Sequence, residues 1–168
     1  MSSSQIILGL DPGTAKVGYG VVVADSASVK HIAHGCITTP KEELMPDRLN
    51  QIAKKLREVL REFQPDIVAV EELFFAQNVT TAISVAQARG VLLQTVANLS
   101  IPVEHYTPLQ VKQALTGYGK ADKVQIQRMI KMILNLDEIP SPDDAADALA
   151  IAITCANSSK LASLKRDL

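Results

Sequence analysis

The chain of 168 residues has no tryptophan, only three phenylalanines and only two cysteines. Cys36 and Cys155 stand far apart, in otherwise apolar segments and without any metal-ligand spacing. That excludes a zinc ribbon or a disulfide framework and leaves two buried free thiols in a reducing, cytoplasmic setting. Long apolar runs are missing as well: none reaches the roughly 18 residues that span a bilayer. The opening MSSSQ carries no positive segment of the kind that directs export. Neither repeats nor low-complexity tracts nor linkers interrupt the chain, so the expectation is a single domain over residues 1–168, with disorder expected in the tail from about 159.

A surplus of positive charge is also absent. The formal net charge of -1 argues, taken globally, against a nucleic-acid partner, because phosphate binding is driven by lysine and arginine. Charge is unevenly distributed, however. Between His105 and Leu136, Lys112, Lys120, Lys123, Arg128 and Lys131 face one anion, Asp122, so that stretch carries +4. It reads equally as a solvated helix face or as a binding surface.

What is present is an ordinary globular composition, 47% apolar and 21% charged. Residues 5–10 (QIILGL), 17–24 (VGYGVVVA) and 29–38 read as three strands with short polar connections, hence an antiparallel meander. Residues 44–63 place Leu49, Ile52, Ala53, Leu56, Val59, Leu60 and Phe63 three and four apart, the pattern of an amphipathic helix. The apolar run 67–70 reads as a strand covered on both faces. A helix capped by Asn78 or Thr80 and reaching about residue 98 leads to a fifth strand, 101–106. A strand, helix, strand crossover implies parallel pairing. Further helices are expected over 108–115, 121–134 and 142–158. The fold class is therefore α/β, a five-stranded mixed sheet of three antiparallel and then two parallel strands, flanked by helices.

Acids stand where this outline puts strand ends. Asp11 closes the first strand before Pro-Gly, a position that a β-turn alone would explain. Glu71 closes the buried run 67–70, and the carboxyl ends of strands are where open α/β sheets place their ligands. In the last helix Ser141 suits an N-cap and Pro142 the first turn, so Asp143 and Asp144 have a structural explanation as helix-start acids. Asp147 has none. It lies among Ala, Leu and Ile, where a bare carboxylate costs several kcal/mol, and it shares a helix face with Asp144. Carboxylates without neighbouring His or Cys suit hard cations such as Mg²⁺ or Mn²⁺, and the chemistry that uses such a site is phosphoryl transfer.

Taken in order, ILGLDPGT at the start, FQPDIVAVEE in the middle, AQARG near residue 88, QVKQ near 112 and DAADALA near 147 resemble the RuvC family of bacterial Holliday-junction resolvases, which have a ribonuclease H-like fold. The likeness runs from about residue 6 to 155. It implies that Asp11, Glu71, Asp144 and Asp147 are the catalytic and metal-binding acids, holding Mg²⁺ or Mn²⁺, two ions to a site. Choosing Glu71 over Glu72, and Asp144 over Asp143, rests on this resemblance.

The same resemblance implies a homodimer that nicks opposed strands of a four-way junction symmetrically, in recombination and repair, beside a branch-migration helicase complex. The apolar helix of about 80–98 is the candidate dimer contact, with ordinary core packing as its alternative. Lys112 and Lys123 match basic positions near the family's active site, suited to holding the scissile phosphate or stabilising the transition state. Phe74 matches a residue that stacks on an unpaired base, whereas Phe75 reads as core. Arg89 is open between a DNA phosphate and a dimer contact. Two other readings compete: the DxGT turn also resembles the phosphate loop of actin-like ATPases, which need a second domain, and a junction-binding scaffold without catalysis would not need all four acids.

Overall fold

The computed structural model describes residues 4–73 and 79–166. Five strands, β1 (Gln5–Asp11), β2 (Lys16–Ala24), β3 (Val29–Thr38), β4 (Ile67–Glu71) and β5 (Val103–Tyr106), form one sheet in the order β3-β2-β1-β4-β5. The first three pair antiparallel, whereas β4 runs parallel to β1 and to β5. This is the expected mixed sheet. The strand β5 begins two residues later than expected, because Pro102 has no N–H for the ladder and contributes its carbonyl to Val68 instead.

Helices cover both faces. On one lie α1 (Met45–Phe63) and α2 (Val79–Ala97), which bury Ile52, Leu56, Ala88 and Leu92 against Leu8, Leu10, Val68 and Val70. On the other lie α3 (Pro108–Thr116), α4 (Lys123–Ile133) and α5 (Asp143–Arg166), packed on Ile7, Val22, Ile67 and Ala69. Since alternate residues of a strand point to opposite faces, each strand feeds both cores, and this explains why residues 6–10 of β1 and 67–70 of β4 carry no polar side chain.

Local chemistry fixes the helix ends. Thr107 with Gln110, and Asp122 with Gln125, form reciprocal capping boxes at the starts of α3 and α4. The second of these uses Asp122, the lone anion of the basic stretch, and starts α4 two residues later than the expected position 121. Gln64 takes a left-handed conformation (φ 45°) to close α1, its N–H donating to the Leu60 carbonyl.

Four further expectations shift. Thr80 lies inside α2 and so cannot be its cap, and Asn78 lies outside the described residues. Ser141 is not the cap of α5, because the Pro142 carbonyl accepts the Ala145 and Ala146 N–H groups and Asp143 is the first helical residue. That helix also runs past the expected end near 158, to Arg166. Of the two thiols Cys155 is buried, but Cys36, on the edge strand β3, is only half-buried. No helix among the described residues is long and apolar enough to cross a membrane.

Candidate active site

Strand parity decides which acids meet. In β1, Ile7 faces the core beneath α5, so Gly9 and Asp11, two and four residues on, face the same way. In β4, Ile67 and Ala69 face that core, and Glu71 follows them. The parallel register Ile7↔Ile67 to Leu10↔Val70 then brings Asp11 and Glu71 to the next step on neighbouring strands, at the carboxyl edge of the sheet.

The helix α5 supplies the remaining acids, and it comes unusually close. A Cβ on Gly9, Gly18 or Gly20 would overlap the backbone of Ala148, Asp144 or Leu149 respectively. Glycine at these strand positions lets the helix backbone settle directly onto β1 and β2. The contact fixes the first turns of α5, and with them Asp144 and Asp147, over the end of β1. This feature was missed in the sequence reading, although glycines two apart inside a strand were its visible signal.

Electrostatics records the convergence. Burial, then the charges of Glu71, Asp147 and Asp144, push the Asp11 carboxyl up to about 8, with Lys123 opposing. Burial and Asp147 push Glu71 up to about 7. Asp147 is raised chiefly by burial, against the pull of Lys123. Four carboxylates thus crowd one poorly hydrated corner, a state that a nearby cation relieves. Among the described residues no three acidic, histidine or cysteine side chains are drawn together into a finished metal cage. Glu71 and Asp147 line one mouth, with an ammonium group at its rim, and Asp11 lies within electrostatic reach of both and of Asp144.

That ammonium group is Lys123, 2.9 Å from Asp143 and 3.7 Å from Asp147. Asp143 also accepts a hydrogen bond from Gln127 (3.0 Å), so it is more than a helix-start acid: it ties α5 to α4 and holds Lys123 beside Asp147. Its carboxyl is held below the usual range by Lys123. A pocket of about 270 Å³ opens here, lined by Glu71, Lys112, Lys123 and Asp147 over an apolar floor of Val111, Ile126 and Ala150. Lys112 and Lys123 therefore both line the pocket that holds Glu71 and Asp147. Arg89 is turned elsewhere: its Nε donates to the Glu71 carbonyl (3.1 Å) and its terminal nitrogen lies 3.0 Å from His105 Nδ1. Phe74 and Phe75 lie outside the described residues.

The sequence profile described as "Crossover junction endodeoxyribonuclease RuvC" matches residues 7–155. The chain belongs to the RuvC family. A RuvC of Syntrophomonas wolfei is 54% identical over 157 residues, which cover 94% of this chain and 91% of the relative. The solved structure of Thermus thermophilus RuvC in complex with Holliday junction substrate superposes with a TM-score of 0.89 at 38% identity, covering 95% of this chain and 97% of that one. At 16% identity the yeast mitochondrial Holliday junction resolvase Ydc2 (TM-score 0.68, covering 94% of this chain and 80% of the other) shares the fold. RuvC membership makes this chain a nuclease of the crossover-junction class on a ribonuclease H-like sheet. The profile spans all four acids and both lysines.

Proposed function

We propose that this chain resolves four-way DNA junctions by metal-assisted phosphodiester hydrolysis at Asp11, Glu71, Asp144 and Asp147. The observation that carries the reading is the meeting of two strand-end carboxylates on one sheet face with the acids of α5. Their raised carboxyl pKa values favour a site that is completed by a cation. The donor set, all oxygen and all anionic, fits Mg²⁺ or Mn²⁺. Two such ions, when bound, would lower the pKa of the attacking water and neutralise charge on the scissile phosphate.

The remaining work falls to the chain itself. The four acids would hold the ions, and Lys123, poised between Asp143 and Asp147, would supply positive charge where the phosphate enters. Lys112 adds a second positive charge at the pocket wall. The capping of α4 by Asp122 fixes the helix that begins at Lys123. Phe74 is the proposed stacking residue for an unpaired base at the junction centre.

Symmetric paired nicking needs two sites, so we assign a homodimer with α2 as its contact, acting beside a branch-migration helicase complex in the cytoplasm. Residues 1–168 act as one nuclease domain in this reading. The test is incubation with a synthetic mobile four-way junction, with and without Mg²⁺, and mapping of the cuts. Paired, symmetric, Mg²⁺-dependent nicks are expected; unpaired cuts would indicate a simple nuclease, and binding without cuts a scaffold.

A further inference from the structure

A carbonyl at the end of a strand can be left without a ladder partner, and a polar group left unpaired near a site costs free energy. In β4 that residue is Glu71, and the partner comes from Arg89 of α2. Parity shows the direction of approach. Tyr106 packs in the core beneath α5, whereas Val103 packs on the α2 side, so His105 faces α2 as well. Arg89 therefore comes from the face opposite α5. It donates to the Glu71 carbonyl at 3.1 Å and meets His105 Nδ1 at 3.0 Å. Since a guanidinium only donates, Nδ1 must be the acceptor and the ring is the Nε2–H tautomer.

The next amide completes the frame. Glu72 N–H donates to the Tyr106 carbonyl at 2.8 Å, and Glu71 pairs with Tyr106 in the parallel ladder. Both links tie the end of β4 to β5, and Arg89 ties the same two strands a second time, through His105. On α2, Arg89 follows Ala88, which is fully buried, so the helix is seated where the guanidinium leaves it. The Glu71 carboxyl points to the α5 face while its carbonyl is gripped from the α2 face.

We infer that Arg89 is a positioning residue: it clamps the main chain of Glu71 to β5 through His105, and so sets the carboxylate at the metal and substrate mouth without touching DNA. That Glu71 acts there rests on the proposed function; the clamp does not.

The test uses the full chain and three readouts on Arg89→Ala and Arg89→Lys. Lysine keeps the charge but lacks the planar fork that reaches two acceptors at once. In metal-free protein, hydrogen exchange at the peptide containing Glu71 and Glu72 is expected to quicken in both variants, with an unchanged fold by circular dichroism. Single-turnover cleavage of a four-way junction should fall about 10- to 100-fold, as for other residues that orient a ligand from behind. Junction affinity in EDTA, and its salt dependence, should stay within about twofold of wild type, since no phosphate contact is lost. Weakened affinity with a salt slope reduced by about one would make Arg89 a phosphate contact and overturn the inference. Wild-type exchange, or quicker exchange with wild-type cleavage, overturns it too. Glu71→Gln separates the two layers: a variant that still cuts would sink the role of Glu71, while the exchange result would stand or fall by itself.

Discussion

Gly18 in β2 lies so close beneath the carbonyl oxygen of Asp144 in α5 that a Cβ on Gly18 would overlap it. The position of a candidate site acid is thus set by a residue with no side chain. Gly9 and Gly20 repeat the contact farther along the helix, at Ala148 and Leu149. Close backbone seating of this kind carries a direct cost for any larger residue.

Gly18→Ala is therefore expected to lower stability by about 1–3 kcal/mol, the usual cost of overpacking, and to displace the start of α5. Thermal unfolding checks the first part and junction cleavage the second. A variant with wild-type melting would mean that α5 can retreat from the sheet without loss.

Asp147→Asn keeps the shape of the side chain and removes its charge. Mg²⁺-dependent junction cleavage should fall by at least about 10²-fold, the scale of losing one well-placed electrostatic group, while junction binding persists. Cleavage at the wild-type rate would show that the metal assignment is wrong.

Lys123 tests the opposite sign of charge. Its partner Asp143 is well exposed, and exposed ion pairs contribute little to stability. Lys123→Gln should consequently melt as wild type does but cut junctions more slowly, read by single-turnover kinetics. A large fall in melting temperature with normal cleavage would reduce Lys123 to a structural link between α4 and α5.

The pH dependence of the metal-free protein has a definite sign. Asp11 and Glu71, at about 8 and about 7, hold protons in the folded chain that the unfolded chain releases near 3.8 and 4.5. Their contribution to stability is complete below the unfolded values and is lost as pH rises through about 7 to 8. Melting in EDTA should accordingly weaken from about pH 5 to about pH 9, and Asp11→Asn should flatten the profile. Added Mg²⁺ should stabilise more at pH 8 than at pH 6, because ligating carboxylates must lose their protons.

Ile83 on α2 is 57% exposed, an uncovered apolar side chain on the proposed dimer helix. Ile83→Glu should shift sedimentation at micromolar concentration toward the 18.1 kDa single chain. If wild type already sediments as that species, the dimer assignment fails.

Much of the candidate site could be read before any fold was known. Asp11 and Glu71 follow apolar strand runs, and Asp147 had no structural excuse in an Ala-rich helix. Choosing between adjacent acids was harder, since Glu71 and Glu72 differ only in strand parity, and parity depends on which face α5 covers. The role of Asp143 was hidden for a similar reason: its partners Lys123 and Gln127 belong to another helix. Arg89 could not be placed from sequence, because its acceptors are a main-chain carbonyl and a ring on two different strands.

The sequence by itself determined the local periods: where chain is strand or helix, and which carboxylates stand at apolar ends. Those follow from side-chain alternation and from hydrogen-bonding groups within a few residues of one another. Only the tertiary structure decided that Glu71 and Asp147 line one pocket with Lys123 beside them, that Asp11 feels the charges of Glu71, Asp144 and Asp147, and that Arg89 grips the strand behind. Such relations depend on sheet register and on how closely α5 approaches β1 and β2, and these are fixed by contacts between residues far apart in the chain.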